Sequence, residues 1–321
     1  MRLDGAMITE GTDSSGFMRS GVTAARRVLL CLTIAASLLL AIAPRPAHAL
    51  ILKKDITYKT VGSLDLKLDV RMPNGAGPFP AIMLIHGGRN ITGDKCQSNL
   101  LTFEKKYVAA GFVVYTPNYR LAPPYPANPN LSPKVGCSDG TTVDVSPLQG
   151  NVYPAGQNDL ADAVAWIRAN AGTYKTVGSK VSAVGTSSGG THAYMEAAKG
   201  LVNVGAGFSG PTTFDSTLKS NGELTDYFGC SQNACPNVWA AASPINNVVS
   251  GSQPTDIYNS SNELIPRAQA DNYYNALRNA GVTARETIIP GSKHATGYVN
   301  YVLPDGKTVI QHTIDYIRLN Q

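Results

Sequence analysis

The sequence predicts an α/β domain: a mostly parallel central sheet with helices on both faces and two loop insertions. Three observations predict it. Short apolar runs without alternation, at residues 81–85 and 112–115, are what strands buried on both faces require. Stretches of helical period alternate with such runs to the end of the chain, the rhythm of a parallel sheet. The composition, 43% hydrophobic and 15% charged with 31 Gly and 20 Pro in 321 residues, is globular and excludes coiled-coil, collagenous and disordered readings.

The elements follow in order. Residues 1–49 read as a signal peptide, with translation beginning either at Met1 or at Met18. Arg26-Arg27 precedes the apolar run 28–43, Pro44 ends it, and Ala47-His48-Ala49 gives the small-x-small pattern of a cleavage site. The run is too short for a membrane span, which needs ~20 apolar residues. Export to a periplasmic or extracellular compartment, with no stable membrane span after processing, is therefore expected. The remaining residues, 50–321, suit a single α/β domain, since one core stops growing near roughly 250–300 residues.

Leu64, Leu66, Leu68 and Val70 alternate with Asp65, Lys67, Asp69 and Arg71, the period of a half-buried strand. Residues 56–61 should pair with it as a hairpin. After Pro73-Asn74-Gly75 come the buried strand 81–85, a helix over 99–110 closed by Gly111, and the strand 112–115. A helix over 158–170 places Leu160, Val164 and Ile167 on one face. Then follow a strand at 180–184, a helix at 188–199, strands at 202–208 and 255–259, a helix at 266–280, a strand at 286–289 and a helix near 309–319. Two irregular stretches, 119–154 and 211–250, interrupt the pattern; loops this long in a compact domain are usually functional lids.

The formal charge, +5 for the whole chain, falls to +3 over 50–321, with no basic run longer than Lys53-Lys54 or Lys105-Lys106. Nucleic-acid binding has no footprint. Without Cys31 of the leader four cysteines remain, an even number that permits two disulfides in an oxidising compartment. We expect Cys96 to pair with Cys137, joining the region after the 81–85 strand to the proline-rich insertion, and Cys230 with Cys235 in one loop. Zinc-ligand spacing is absent.

The chemistry concentrates at three points. Gly185-Thr186-Ser187-Ser188-Gly189 fits G-x-S-x-G between a strand and a helix, where a nucleophile elbow must lie. His86-Gly87-Gly88 directly follows the 81–85 strand, where glycines let the N–H groups of Gly87 and Gly88 turn toward an oxyanion, with Ser188 N–H as a third donor. Pro290-Gly291-Ser292-Lys293-His294 places a histidine on a loop after the last predicted strand. His86 and His192 read as structural, His312 as a surface residue of the last helix, Tyr273-Tyr274 as packing, and Asp159 as an N-cap or helix-dipole residue.

These segments, with Tyr119-Arg120-Leu121-Ala122-Pro123 and Glu263-Leu264-Ile265-Pro266, resemble the α/β-hydrolase superfamily, and within it the carboxylesterases and lipases that carry His-Gly-Gly-Gly before the elbow. The resemblance spans nearly all of residues 55–320. It implies Ser187 as acylated nucleophile, His294 as its base, and a carboxylate near residue 260. Two positions depart from the pattern: Arg89 stands at the third glycine, and Asn262 at the usual acid position before Ile-Pro.

The acid should lie on a loop following a strand, which favours the neighbouring Glu263. Asp256, inside the 255–259 strand, and Asp215, beyond the strand ending near Phe208, are the alternatives. The implied activity is hydrolysis of a small-molecule carboxylic ester through an acyl-enzyme, with no metal or cofactor. The same fold also serves peptidases and acyl-peptide hydrolases, and a chain that kept the fold without turnover would bind without cleaving. Labelling by a fluorophosphonate separates that last reading from the others.

Overall fold

The computed structural model describes residues 51–124, 132–215, 218 and 221–321; the expected leader lies outside them. The chain starts with a hairpin, β1 (Ile51–Val61) and β2 (Leu64–Met72), turning at Gly62. Next come β3 (Phe79–Ile85), α1 (Leu101–Ala109) and β4 (Val113–Pro117). The first insertion contains a small hairpin, β5 (Lys134–Gly136) and β6 (Thr142–Asp144). Then follow α2 (Ala155–Ala169), β7 (Thr176–Thr186), α3 (Ser188–Ala198) and β8 (Gly205–Phe208). The second insertion carries α4 (Asn221–Phe228) and α5 (Pro236–Ala242). The chain closes with β9 (Thr255–Ser260), α6 (Arg267–Asn279), β10 (Ala284–Ile289) and α7 (Val309–Asn320).

Eight strands form one sheet in the order β1-β2-β4-β3-β7-β8-β9-β10. β1 and β2 pair antiparallel, β2 joins β4 antiparallel, and all later pairings are parallel. The non-alternating runs divide by strict period two between two cores. From β3, Ala81, Met83 and Ile85 face the cluster with Leu160, Val164 and Ile167 of α2; Ile82 and Leu84 face the cluster with Phe103 of α1 and Ile317 of α7. In β2 the polar face is also covered: Asp69 pairs with Lys95, and Arg71 with Glu104.

Two expectations are corrected. The insertions are not irregular throughout. Phe214, Leu224, Tyr227, Phe228 and Trp239 form a third core, closed by Ile91 and Ile265, so α4 and α5 bury their apolar residues against each other and the site loops rather than the sheet. Asp159 is not an N-cap and lies in the second turn of the helix rather than the first. The helix starts four residues earlier, at Ala155, and the fully buried Asp159 carboxylate accepts from Arg120 Nε and Nη2 and from Lys59 Nζ. A buried carboxylate needs such pairing to stay charged.

Cys96 pairs with Cys137 and Cys230 with Cys235. Among the described residues no helix is long and apolar enough to cross a membrane.

Candidate active site

The parallel strands all deliver their carboxyl ends to one edge of the sheet, where loops of such folds gather their ligands. His86-Gly87-Gly88 leaves β3, Ser187 leaves β7, Ser209 leaves β8, Glu263 follows β9 and His294 follows β10.

Ser187 sits between β7 and α3 with φ 54° and ψ −125°, a conformation L-residues rarely adopt. Its own N–H donates to the Phe208 carbonyl at 2.8 Å, tying the turn to the neighbouring strand. The second elbow glycine is required by close approach: a Cβ on Gly189 would lie 2.3 Å from the Ile85 carbonyl oxygen and 2.5 Å from that of His86. Gly87 is required for the same reason from the other side. A Cβ there would meet the Thr186 carbonyl oxygen at 2.7 Å and Ser187 Cβ at 3.0 Å, so only glycine lets this loop close over the serine. Ser188 begins α3, whose first N–H groups have no intrahelical partner.

The loop after β3 is held from behind. His86 is fully buried, its Nδ1 2.9 Å from the Gly87 carbonyl oxygen, its ring stacked on Tyr119 at 4.4 Å, and its own carbonyl accepts from the Tyr119 hydroxyl. Burial lowers its pKa, so the neutral ring is favoured. Asn90, further along the loop, lies within 2.8 Å of His192 Nε2, while its backbone N–H reaches Ser188 Oγ at 3.4 Å. His86 and His192 are thus structural, as expected. His312 is not fully exposed: Nε2 contacts Asp305 Oδ2 at 2.7 Å and the side chain is only 22% exposed. Tyr273 is fully buried packing.

Arg89, at the third-glycine position, keeps the positive φ a glycine would take, at 57°. Its guanidinium Nη1 donates to Glu223 on α4 at 2.6 Å, linking the loop to the second insertion.

Glu263 is the carboxylate that meets His294. Its side chain is fully buried and Oε2 contacts His294 Nδ1, while Oε1 accepts from Ser260 N–H at 2.8 Å and from Ser209 Oγ at 2.7 Å. The acid and histidine loops are laced together: Ser261 N–H donates to the Ile289 carbonyl, Asn262 N–H to that of Gly291, and Ser260 Oγ to that of Lys293. Asn262 itself is exposed. Asp256 is occupied elsewhere, in a two-point ion pair with Arg285 and as acceptor from the Tyr258 hydroxyl. Asp215 lies beyond Phe214 in the second insertion; the end of β8 is taken by Ser209. Sequence reasoning missed Ser209. A lone polar residue closing an apolar strand run, beside the strand that leads to the acid, is the signal that marks it.

A cleft of about 280 Å³ opens over these groups, lined by Gly87, Gly88, Arg89, Ser187, Leu264 and His294 among others. It therefore gathers a hydroxyl, an imidazole with a buried carboxylate behind it, and the glycine loop. Ser188 is buried at the base of α3.

The family model BD-FAE matches residues 142–277, a segment that includes Ser187 and Glu263. Among curated proteins, none matches the chain. Among solved structures, esterase 2 of Thermogutta terrifontis phosphoramylated by tabun is 20% identical, covering 86% of this chain and 94% of that one, with a TM-score of 0.59. The same organism's enzyme with propionate bound is 19% identical over 85% of this chain and 93% of that one, TM-score 0.59. A truncated carbohydrate esterase from gut microbiota is 18% identical over 86% and 98%, TM-score 0.63. The chain has the α/β-hydrolase fold.

Proposed function

We propose that this protein is an exported serine hydrolase that cleaves small-molecule carboxylic esters through an acyl-enzyme, its mature form being residues 50–321. The observation that carries this reading is the contact between His294 Nδ1 and the buried Glu263 carboxylate beneath a cleft that Ser187 and Gly87 also line. The parallel sheet brings these loops to one edge; what supports the reading is that a hydroxyl, an imidazole backed by a buried carboxylate and a glycine turn line one cleft there.

In this mechanism Ser187 Oγ attacks the ester carbonyl and His294 Nε2 takes its proton, while Glu263 fixes the ring with Nδ1–H toward the carboxylate and stabilises the imidazolium. The carbonyl oxygen becomes an oxyanion that the N–H groups of Gly87, Gly88 and Ser188 receive. His294 returns the proton to the departing alcohol. A water deprotonated by His294 then attacks the acyl-Ser187 ester, the bond from the acyl carbon to Ser187 Oγ breaks, and His294 returns the proton to Oγ as the carboxylic acid leaves.

The phosphoramylation by tabun and the bound propionate of the structurally similar esterase support the same chemistry here. The disulfides Cys96–Cys137 and Cys230–Cys235 support export, since such bonds persist in oxidising compartments.

The test is covalent labelling by a fluorophosphonate, together with hydrolysis of p-nitrophenyl esters from acetate to palmitate. Labelling should vanish in Ser187→Ala and turnover should fall by at least ~10⁴. Full labelling of that variant ends the assignment.

A further inference from the structure

Ser209 lies at the carboxyl end of β8, fully buried, with φ 55°. A serine held in the left-handed region inside a core is strained, and such strain persists only where the surroundings fix it. Here they do: its N–H donates to the Tyr258 carbonyl at 2.8 Å.

Its hydroxyl has three polar neighbours. Ala295 N–H, directly after His294, donates to Ser209 Oγ at 2.9 Å. Glu263 Oε1 lies 2.7 Å away, and the Tyr298 hydroxyl 2.8 Å away. An amide N–H can only donate and a carboxylate can only accept. The single Ser209 proton therefore points at Glu263, and its oxygen lone pairs face Ala295 and Tyr298. The Tyr298 hydroxyl has one proton for two acceptors, Ser209 Oγ and the Tyr258 carbonyl oxygen 3.0 Å away, so it donates to one of them at a time.

We propose that Ser209 is a positioning residue for the hydrolytic site, bracing the acid Glu263 and the histidine loop against each other through one hydroxyl. The inference rests on the serine-hydrolase reading above. With Ser260 N–H, the Ser209 hydroxyl saturates Oε1 and leaves Oε2 for His294. A glutamate side chain has one more rotatable bond than an aspartate's, so its carboxylate has more torsional freedom to lose. Ser209 removes that freedom, and through Ala295 N–H it fixes where the His294 backbone sits relative to the carboxylate. It touches no reacting atom.

The experiment compares wild type, Ser209→Ala, Glu263→Gln and the double variant on p-nitrophenyl acetate, with thermal unfolding measured on each. Ser209→Ala should lower kcat about 10–100-fold, the range seen when the hydrogen-bonded partner that orients a metal ligand is removed, with KM little changed. In the Glu263→Gln background the further loss should be clearly smaller, because the part of its effect that runs through the carboxylate is already gone. A wild-type kcat in Ser209→Ala, or the same factor lost again in the Glu263→Gln background, overturns the inference. If Ser209→Ala does not fold, Ser209→Gly, which relaxes the positive φ, takes its place under the same expectations. A wild-type protein that neither labels with fluorophosphonate nor hydrolyses the ester brings down the hydrolase reading and this inference together. Active wild type with unaffected Ser209 variants brings down the inference alone.

Discussion

Glu263 and His294 meet side chain to side chain across 31 residues of sequence, with the carboxylate fully buried and the imidazole still 31% exposed toward the cleft. One partner is shut from water and the other is open to a substrate. If Glu263 is the acid, Glu263→Gln leaves the fold intact and lowers turnover by about 10⁴, because the imidazolium formed during attack loses its counter-charge. Asp256→Asn should instead affect stability, since Asp256 pairs with Arg285 on β10 and not with the histidine. Steady-state kinetics and urea denaturation of both variants check this, and near-normal turnover in Glu263→Gln removes the residue from the mechanism.

The position of that acid shows how far the sequence was readable. Asn262 occupies the usual acid position of the carboxylesterases the sequence resembles yet faces solvent, and the loop turns Glu263 inward because Ser261 and Asn262 are both bonded to the histidine loop. The pattern before Ile-Pro located the loop; which of its residues points inward depends on cross-loop hydrogen bonds that no local periodicity encodes. The strands of the sheet were legible because burial on both faces leaves unbroken apolar runs, as in residues 81–85. Helices α4 and α5 were not, since they are short and pack mainly on each other and on Ile91 and Ile265. Asp159 was misread for a related reason: its partners, Arg120 and Lys59, lie far off in the chain.

Gly87 gives a second prediction. Its missing Cβ is what permits the loop to approach within contact of Thr186 and Ser187, so Gly87→Ala must push the loop outward and displace an oxyanion donor. Loss of one such donor costs about 10²–10³ in kcat. Fluorophosphonate labelling should slow in parallel, and the melting temperature should fall as well because the clash is with backbone; unchanged labelling contradicts the oxyanion role.

The two disulfides should differ in weight. Cys96–Cys137 closes 41 residues and ties the first insertion to the segment after the glycine loop, whereas Cys230–Cys235 closes 5. By the loop-closure relation, removing the first costs roughly 4 kcal/mol and the second about 2. Denaturation of Cys96→Ser/Cys137→Ser and Cys230→Ser/Cys235→Ser proteins tests the order, and equal losses refute it.

A buried polar chain behind the elbow predicts a pH dependence of stability. His192 Nδ1 lies 2.7 Å from Gln157 Oε1, and Gln157 Nε2 donates to Glu196 Oε1 at 2.5 Å. Burial holds the His192 pKa down at about 3, so the ring is neutral, and pushes that of Glu196 up to about 8 from its ordinary 4.5, with Lys199 and Gln157 opposing the rise. The folded carboxyl therefore keeps its proton where the unfolded chain has lost it. A raised acid pKa means the unfolded state binds fewer protons between about pH 5 and 8, so the Glu196 contribution to stability is fully present below that window and is lost as pH rises through it, by up to about 1.4 kcal/mol per unit, while the neutral His192 contributes the opposite slope below its ordinary 6.5. Glu196→Gln offers Gln157 the same acceptor without a titrating proton. Its urea midpoint should gain on wild type steadily from about pH 5 to 8 and level off above. Parallel midpoint curves for the two proteins would place the Glu196 proton elsewhere.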